Sequence, residues 1–146
     1  MNLSKNFTLE AFCKTTSNFP NIPQKSDILA MSDLCKYVLQ PLRDLFGHEI
    51  IISSGYRSLA VNKDKGGTNK PLSQHCKGEA ADLKSIDNAL LFKLIREHFV
   101  FDQMIWEGGD DNQPAWVHVS YRTQGNRGEM LRMRILNGVK QYTHMK

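Results

Sequence analysis

The segment from residue 73 to residue 82 has the sequence SQHCKGEAAD and contains two side chains that bind metal ions well, His75 and Asp82. A short glycine turn and several small residues separate them. The pattern predicts a strand over residues 79–83, on which Ala80 and Asp82 share one face. Because alanine side chains are small, they leave space for a metal ion beside the carboxylate.

A second histidine lies in the segment 116–121, which has the sequence WVHVSY. Its alternation predicts a strand with both valines on one face and His118 on the other. His75, Asp82 and His118 would leave a fourth position for water, which is the ligand count of a catalytic zinc site. These residue types are common, however, and a single strand histidine is more often a core residue than a ligand.

The remaining sequence predicts an α+β fold in which helices pack on a small, mainly antiparallel sheet. Helices are expected over residues 7–12, 27–46 and 88–98, the first capped by Thr8 and the last by Asp87. Strands are expected over residues 49–53, 79–83, 101–107, 116–121 and 130–135, with a hairpin across the turn 108–114. Residues 66–71 predict an open loop. The length of 146 residues suits a single domain over residues 1–146, with a basic tail from about residue 122.

The long helix is predicted to begin after Ser26 as its N-cap, to kink at Pro41 and to end at Gly47. Three-and-four spacing assigns Leu45 to its buried face, and Leu90 to the buried face of the helix over residues 88–98. The strand over residues 49–53 is predicted to be buried.

Composition limits the classes of partner. The formal charge of +4 comes from scattered Lys and Arg residues without a dense basic block, so we expect no nucleic-acid partner. The first residues lack the apolar segment of a signal peptide, and no apolar run is long enough to span a membrane. We therefore expect a protein that is synthesised in the cytoplasm and has no membrane partner. We also expect it to be a monomer. Three cysteines without paired spacing do not predict a disulfide framework.

Three segments, SSGYRS at 53–58, S-x-H-x-x-G-x-A-x-D-L at 73–83 and WVHVS at 116–120, occur in this order. Together they resemble the zinc D-Ala-D-Ala carboxypeptidase family, to which phage endolysin peptidases and a domain of hedgehog proteins are related. The resemblance extends over residues 7–121. It implies a peptidase that cleaves peptidoglycan stem peptides, as a carboxypeptidase or an endopeptidase, and reaches the cell wall after release or delivery.

The resemblance also implies one zinc ion per chain, bound by His75, Asp82 and His118. Arg57 matches an arginine that binds or polarises the substrate, and its guanidinium fork suits a carboxylate or a developing oxyanion. The alternative for Arg57 is a structural turn residue paired with an acid. Ser73 and Trp116, within the same motifs, are assigned to substrate binding.

The general base departs from the family pattern. Many members have an acid three residues before the last histidine ligand, where this chain has Ala115. Glu107 is our candidate, because it ends the strand before the hairpin turn and can lie across from residues 116–118. This role requires Glu107 to face the same side of the sheet as His118; the alternative is a surface charge at the end of a strand. Asp102, Asp110 and Asp111 are weaker candidates. The missing acid also leaves open a non-catalytic module that binds the cell wall or has a structural role.

Overall fold

The computed structural model describes residues 1–68 and 70–146, so Asn69 of the predicted loop lies outside the described residues. Helices and one sheet form an α+β architecture, as the sequence predicts. The helices are α1 (Leu9–Cys13), α2 (Lys25–Leu34), α3 (Gln40–Phe46), α4 (Leu59–Asp64) and α5 (Asn88–His98), with a π-helical turn at Cys35–Leu39 and a 3₁₀ helix at Gln74–Lys77. The strands are β1 (Ile51–Ser54), β2 (Ala80–Lys84), β3 (Gln103–Glu107), β4 (Trp116–Ser120), β5 (Glu129–Leu136) and β6 (Val139–His144).

The six strands form one sheet in the order β1-β2-β4-β3-β5-β6. All neighbours are antiparallel except β3 and β5, which are parallel. One face of the sheet packs against a cluster of buried side chains from α2, the π-helical turn, α3 and α5. Because alternate residues face opposite sides, the second set of side chains on β2, β3 and β4 is available for a site.

The long helix differs from its prediction at its start. It begins at Lys25, where the carboxylate of Asp27 accepts a hydrogen bond from the backbone N–H of Gln24 at 2.9 Å, so Ser26 is not the cap. The irregularity expected at Pro41 takes the form of the π-helical turn just before it, which accommodates a residue without an N–H donor. Gly47 ends the helix in the left-handed conformation, with φ of 76°, as predicted.

Two helical leucines and one strand were assigned wrongly to the core. Leu45 and Leu90 are 51% and 38% exposed, because the adjacent residues Phe46 and Leu91 face the core. Strand β1 lies at the edge of the sheet and leaves Ile51 53% exposed, so it is not a buried strand.

The tail contains two strands where one was predicted. Strand β5 extends the sheet beside β3, and β6 folds back on β5. The connecting turn is Asn137-Gly138, with φ of 53° and 76°. Asn-Gly is a strong hairpin signal, but every residue of β6 is exposed, so hydrophobic alternation gave no indication of the strand.

Candidate metal centre

Three elements bring His75, Asp82 and His118 together. His75 lies on the 3₁₀ helix, while Asp82 and His118 are directly paired across β2 and β4 and therefore share one face of the sheet. All three side chains are buried, and one potential ligand atom from each lies within 4.8 Å of the others. The sequence predicted these three residues as ligands, and the fold supplies the required proximity.

The orientation of His75 is fixed by backbone contacts. Its Nδ1 lies 2.7 Å from the carbonyl oxygen of Gly55, which can only accept a hydrogen bond, so the proton of the neutral ring is on Nδ1. The Nε2 atom is then a lone-pair donor, and it points at Oδ1 of Asp82 from 3.5 Å. A backbone acceptor on the second ring nitrogen is the usual support of a metal-binding histidine.

His118 approaches the same carboxylate oxygen from the other side. Its Nδ1 lies 3.1 Å from Oδ1 of Asp82, and its Nε2 is buried without a hydrogen-bond partner among the described residues. Although burial alone would raise it, the pKa of the Asp82 carboxyl is held below its usual range by His75 and His118. Two imidazoles and one carboxylate that meet in a buried cluster are a ligand set that suits a divalent transition metal.

A glycine at position 78 allows the 3₁₀ helix to turn directly into β2. Gly78 has φ of 72°, and a Cβ atom there would lie 2.3 Å from the carbonyl oxygen of Asp27. Both observations exclude a side chain. The Ser73 hydroxyl accepts a hydrogen bond from the N–H of His75 at the start of the same helix. Ser73 therefore caps the helix that carries His75, and its assignment to substrate binding stays a prediction.

A bulge in β1 positions Arg57. The register shifts at Ser53, so that Ser54, and not Ser53, pairs with Asp82 on the metal-binding face. The Ser54 hydroxyl then accepts a hydrogen bond from Nε of Arg57 at 2.9 Å, and Nη2 of the same guanidinium lies 3.5 Å from Oδ2 of Asp82. Arg57 is thus paired with an acid, as its structural alternative requires, but that acid is the candidate ligand and the guanidinium borders the metal centre.

Glu107 lies on the same face of the sheet as His118. Ile105 is the direct partner of His118 across β3 and β4, and Glu107 is two residues further along β3, opposite Trp116. The side chain is only 7% exposed. Burial raises the pKa of Glu107 to about 7, and this effect outweighs the opposite effect of the His118 charge, which lowers the pKa. The role of a general base requires this orientation of residue 107; that role stays a prediction, as does the substrate role of the half-buried Trp116.

The other acids have different functions in the fold. Asp102 is fully buried and binds Arg127 at 2.8 Å and the Gln74 amide at 2.8 Å, which links the helix bearing His75 to the tail. Asp110 accepts two backbone hydrogen bonds within its turn, and Asp111 is 85% exposed and paired with Arg132. None of these three aspartates belongs to the His75 cluster.

The β5–β6 hairpin extends the metal-binding face in a way that the sequence did not predict. Tyr142 pairs with Met133, which in turn pairs with Glu107, so the three residues form one row across the sheet. Tyr142 is 50% exposed, and partial desolvation on its sheet-facing side, together with the charges of Glu107 and Asp82, raises its pKa. The Asn137-Gly138 turn was the available signal for this hairpin.

A profile of the Peptidase M15 family matches residues 5–120, which contain the whole cluster. The chain belongs to the Peptidase M15 family. This result confirms the resemblance drawn from the three motifs, and it makes the protein a member of a peptidase family. The match ends before the β5–β6 hairpin. A comparison with curated proteins finds no match. Of the helices in the described part of the chain, none is long and apolar enough to cross a membrane.

Proposed function

We propose that this member of the Peptidase M15 family is a zinc peptidase that hydrolyses the stem peptides of bacterial peptidoglycan. The observation that carries the proposal is the buried convergence of His75 and His118 on Asp82. A zinc ion held by these three side chains would polarise a water molecule and the amide carbonyl that it attacks.

Two other side chains of the site would bind the substrate and transfer the proton. Arg57 borders the metal centre with its guanidinium, where its fork can hold a substrate carboxylate or the developing negative charge of the carbonyl oxygen. Glu107 would accept a proton from the attacking water and deliver it to the leaving amine. Its burial near the charges of His118 and Asp82 suits that role, which Ala115 cannot perform.

The protein would act as a monomer and reach the wall after release or delivery from the cytoplasm. A carboxypeptidase and an endopeptidase differ only in which amide bond of the stem peptide is presented to the metal centre. In both cases the glycan strand would stay intact, because a water molecule activated by a zinc ion is suited to amide hydrolysis. Trp116 and Ser73 would border the bound peptide.

Digestion of purified cell walls tests this proposal directly. The zinc-loaded protein should generate new peptide termini, detected by mass spectrometry, and no new reducing sugar ends. The Asp82→Ala variant serves as the control for a contaminating hydrolase. New reducing ends would refute peptidase activity on the wall. Wall binding without any new terminus would instead support the non-catalytic module.

A further inference from the structure

A second feature of the surface adjoins the metal centre. A groove of about 430 Å³ runs beside β1, and it is lined by all four residues of that strand, by Lys14, Thr15 and Thr16 after α1, and by Arg57, Val61 and Lys65 around α4. Strand β1 is at the edge of the sheet, and no described residue forms a backbone hydrogen bond to its outer side. An open strand edge is suited to an extended peptide.

The charges of this groove all have the same sign. Lys14, Arg57 and Lys65 line it, and none of the described residues in its lining is acidic. Lys14 and Lys65 form no salt bridge with a described residue, and Lys65 instead donates a hydrogen bond to the Thr16 hydroxyl at 2.5 Å. Arg57 is already paired with Asp82, so Lys14 and Lys65 are the cations of this groove that can attract an anionic ligand.

The groove leads into the metal centre. Ser54, at the end of β1, pairs with Asp82, and the next residue, Gly55, accepts the hydrogen bond from His75. A four-residue strand spans about 13 Å. A peptide that lies along β1 would therefore have one end at the metal centre and would pass the two lysines with its more distant residues.

We infer that this groove, defined by β1, Lys14 and Lys65, binds the extended peptide on one side of the cleaved bond and selects peptides with free carboxylates. The inference rests on the proposed peptidase function and adds substrate selectivity to it. Lys14 and Lys65 are specificity-determining residues in this account, because they contact carboxylates remote from the reacting bond. Such charges affect binding of the substrate more than the chemical step.

The test compares two soluble stem peptides with the zinc-loaded protein. One peptide has free side-chain carboxylates, and the other has the same sequence with those carboxylates amidated. The wild type should show a KM about tenfold higher for the amidated peptide with a similar kcat, as expected for loss of charge pairing at the rim of a site. This comparison needs no variant, so it does not depend on the folding of one.

The double variant Lys14→Gln/Lys65→Gln should raise KM about tenfold for the carboxylate peptide only. The matched control is Lys5→Gln/Lys93→Gln, which removes the same charge from exposed positions outside the groove. An equal increase for both peptides, or an equal effect of the control, would overturn the inference and indicate general attraction of polyanions. Equal KM values of the wild type for the free and the amidated peptide would also overturn the inference.

Peptide titration followed by NMR separates this inference from the proposed function. The peptide should shift the backbone amide resonances of residues 14–16 and 51–54. Shifts at these residues without hydrolysis would reject the peptidase and leave the groove as a peptide-binding site. Hydrolysis without shifts at these residues would reject the groove and leave the peptidase.

Discussion

The Nδ1 atom of His118 lies 3.1 Å from Oδ1 of Asp82, although 36 residues separate the two in the chain. Direct pairing of these residues across β2 and β4 produces this contact. It places an imidazole against a buried carboxylate on the one face of the central strands that the core helices do not cover. The chemistry of the site therefore depends on the strand register, since a shift by one residue would turn His118 into the core.

Replacement of Arg57 by lysine should impair turnover although it preserves the charge. Lysine cannot bond the Ser54 hydroxyl and approach Asp82 with one planar group, as Arg57 does. We expect kcat for a stem peptide to fall by about a hundredfold, the scale for loss of a hydrogen-bond donor to a developing negative charge. Steady-state kinetics with the zinc-saturated wild type and variant measure this change in kcat. Equal activity of Arg57→Lys and the wild type would reduce Arg57 to a diffuse charge or a structural residue.

Replacement of Glu107 by glutamine should retain zinc and lose activity. Glutamine preserves the shape of a side chain that is only 7% exposed, but it cannot accept a proton. The hydrolysis rate should fall by about a hundredfold or more, the usual scale for loss of a general base. Metal content and rate are measured on the same preparation.

The matched control for this variant is Glu97→Gln, the same change at an exposed position on α5. It should have wild-type activity. Near-normal activity of Glu107→Gln would exclude Glu107 as the base. Loss of zinc from Glu107→Gln would instead indicate a role in supporting the ligands.

The ion pair of Asp102 with Arg127 should make the free energy of unfolding decrease as the pH falls into the acid range. Although burial alone would raise it, hydrogen bonds from Arg127 and Gln74 lower the pKa of Asp102 in the folded protein. A lowered folded pKa stabilises the protein fully above the unfolded pKa of about 3.9, and this contribution disappears as the pH falls through the folded value. At pH 7, Asp102→Asn should reduce the free energy of unfolding by about 2 kcal/mol.

Urea unfolding of the wild type and Asp102→Asn at neutral pH and below pH 3 measures this effect. The difference between the two proteins should shrink towards zero in acid. Both proteins have the same metal centre, so loss of its ligands at low pH cancels in the comparison. A difference that is constant with pH would show that Asp102 contributes by packing and not by its charge.

Local patterns predicted the strands that carry Asp82, His118 and Glu107, because each is a short segment with a regular period. The 3₁₀ helix that carries His75 and helix α4 were not predicted. Ser53 could not be identified as a bulge from the sequence, because a bulge depends on the partner strand. The Asp102–Arg127 pair was also unpredictable, since its members are 25 residues apart and meet only when β5 adds to the sheet.

Burial on individual helices was predicted less well than strand faces. The spacing rule placed Leu45 and Leu90 in the core, but the fold buries the adjacent residues Phe46 and Leu91 and leaves these two leucines exposed. A helix face is broad enough that either of two adjacent residues can face the core. The packing of α5 against β4 and of α3 against α5 determines which residue is buried.

Zinc content measured on His118→Ala tests the account most directly. Protein purified without added metal should contain one zinc ion per chain by elemental analysis, and His118→Ala should contain little. The control His98→Ala, at the exposed end of α5, should keep full zinc content. Chelation should abolish peptidase activity of the wild type, and added zinc should restore it. Absence of zinc from the wild type, or full zinc occupancy in His118→Ala, would contradict the assignment of the metal centre.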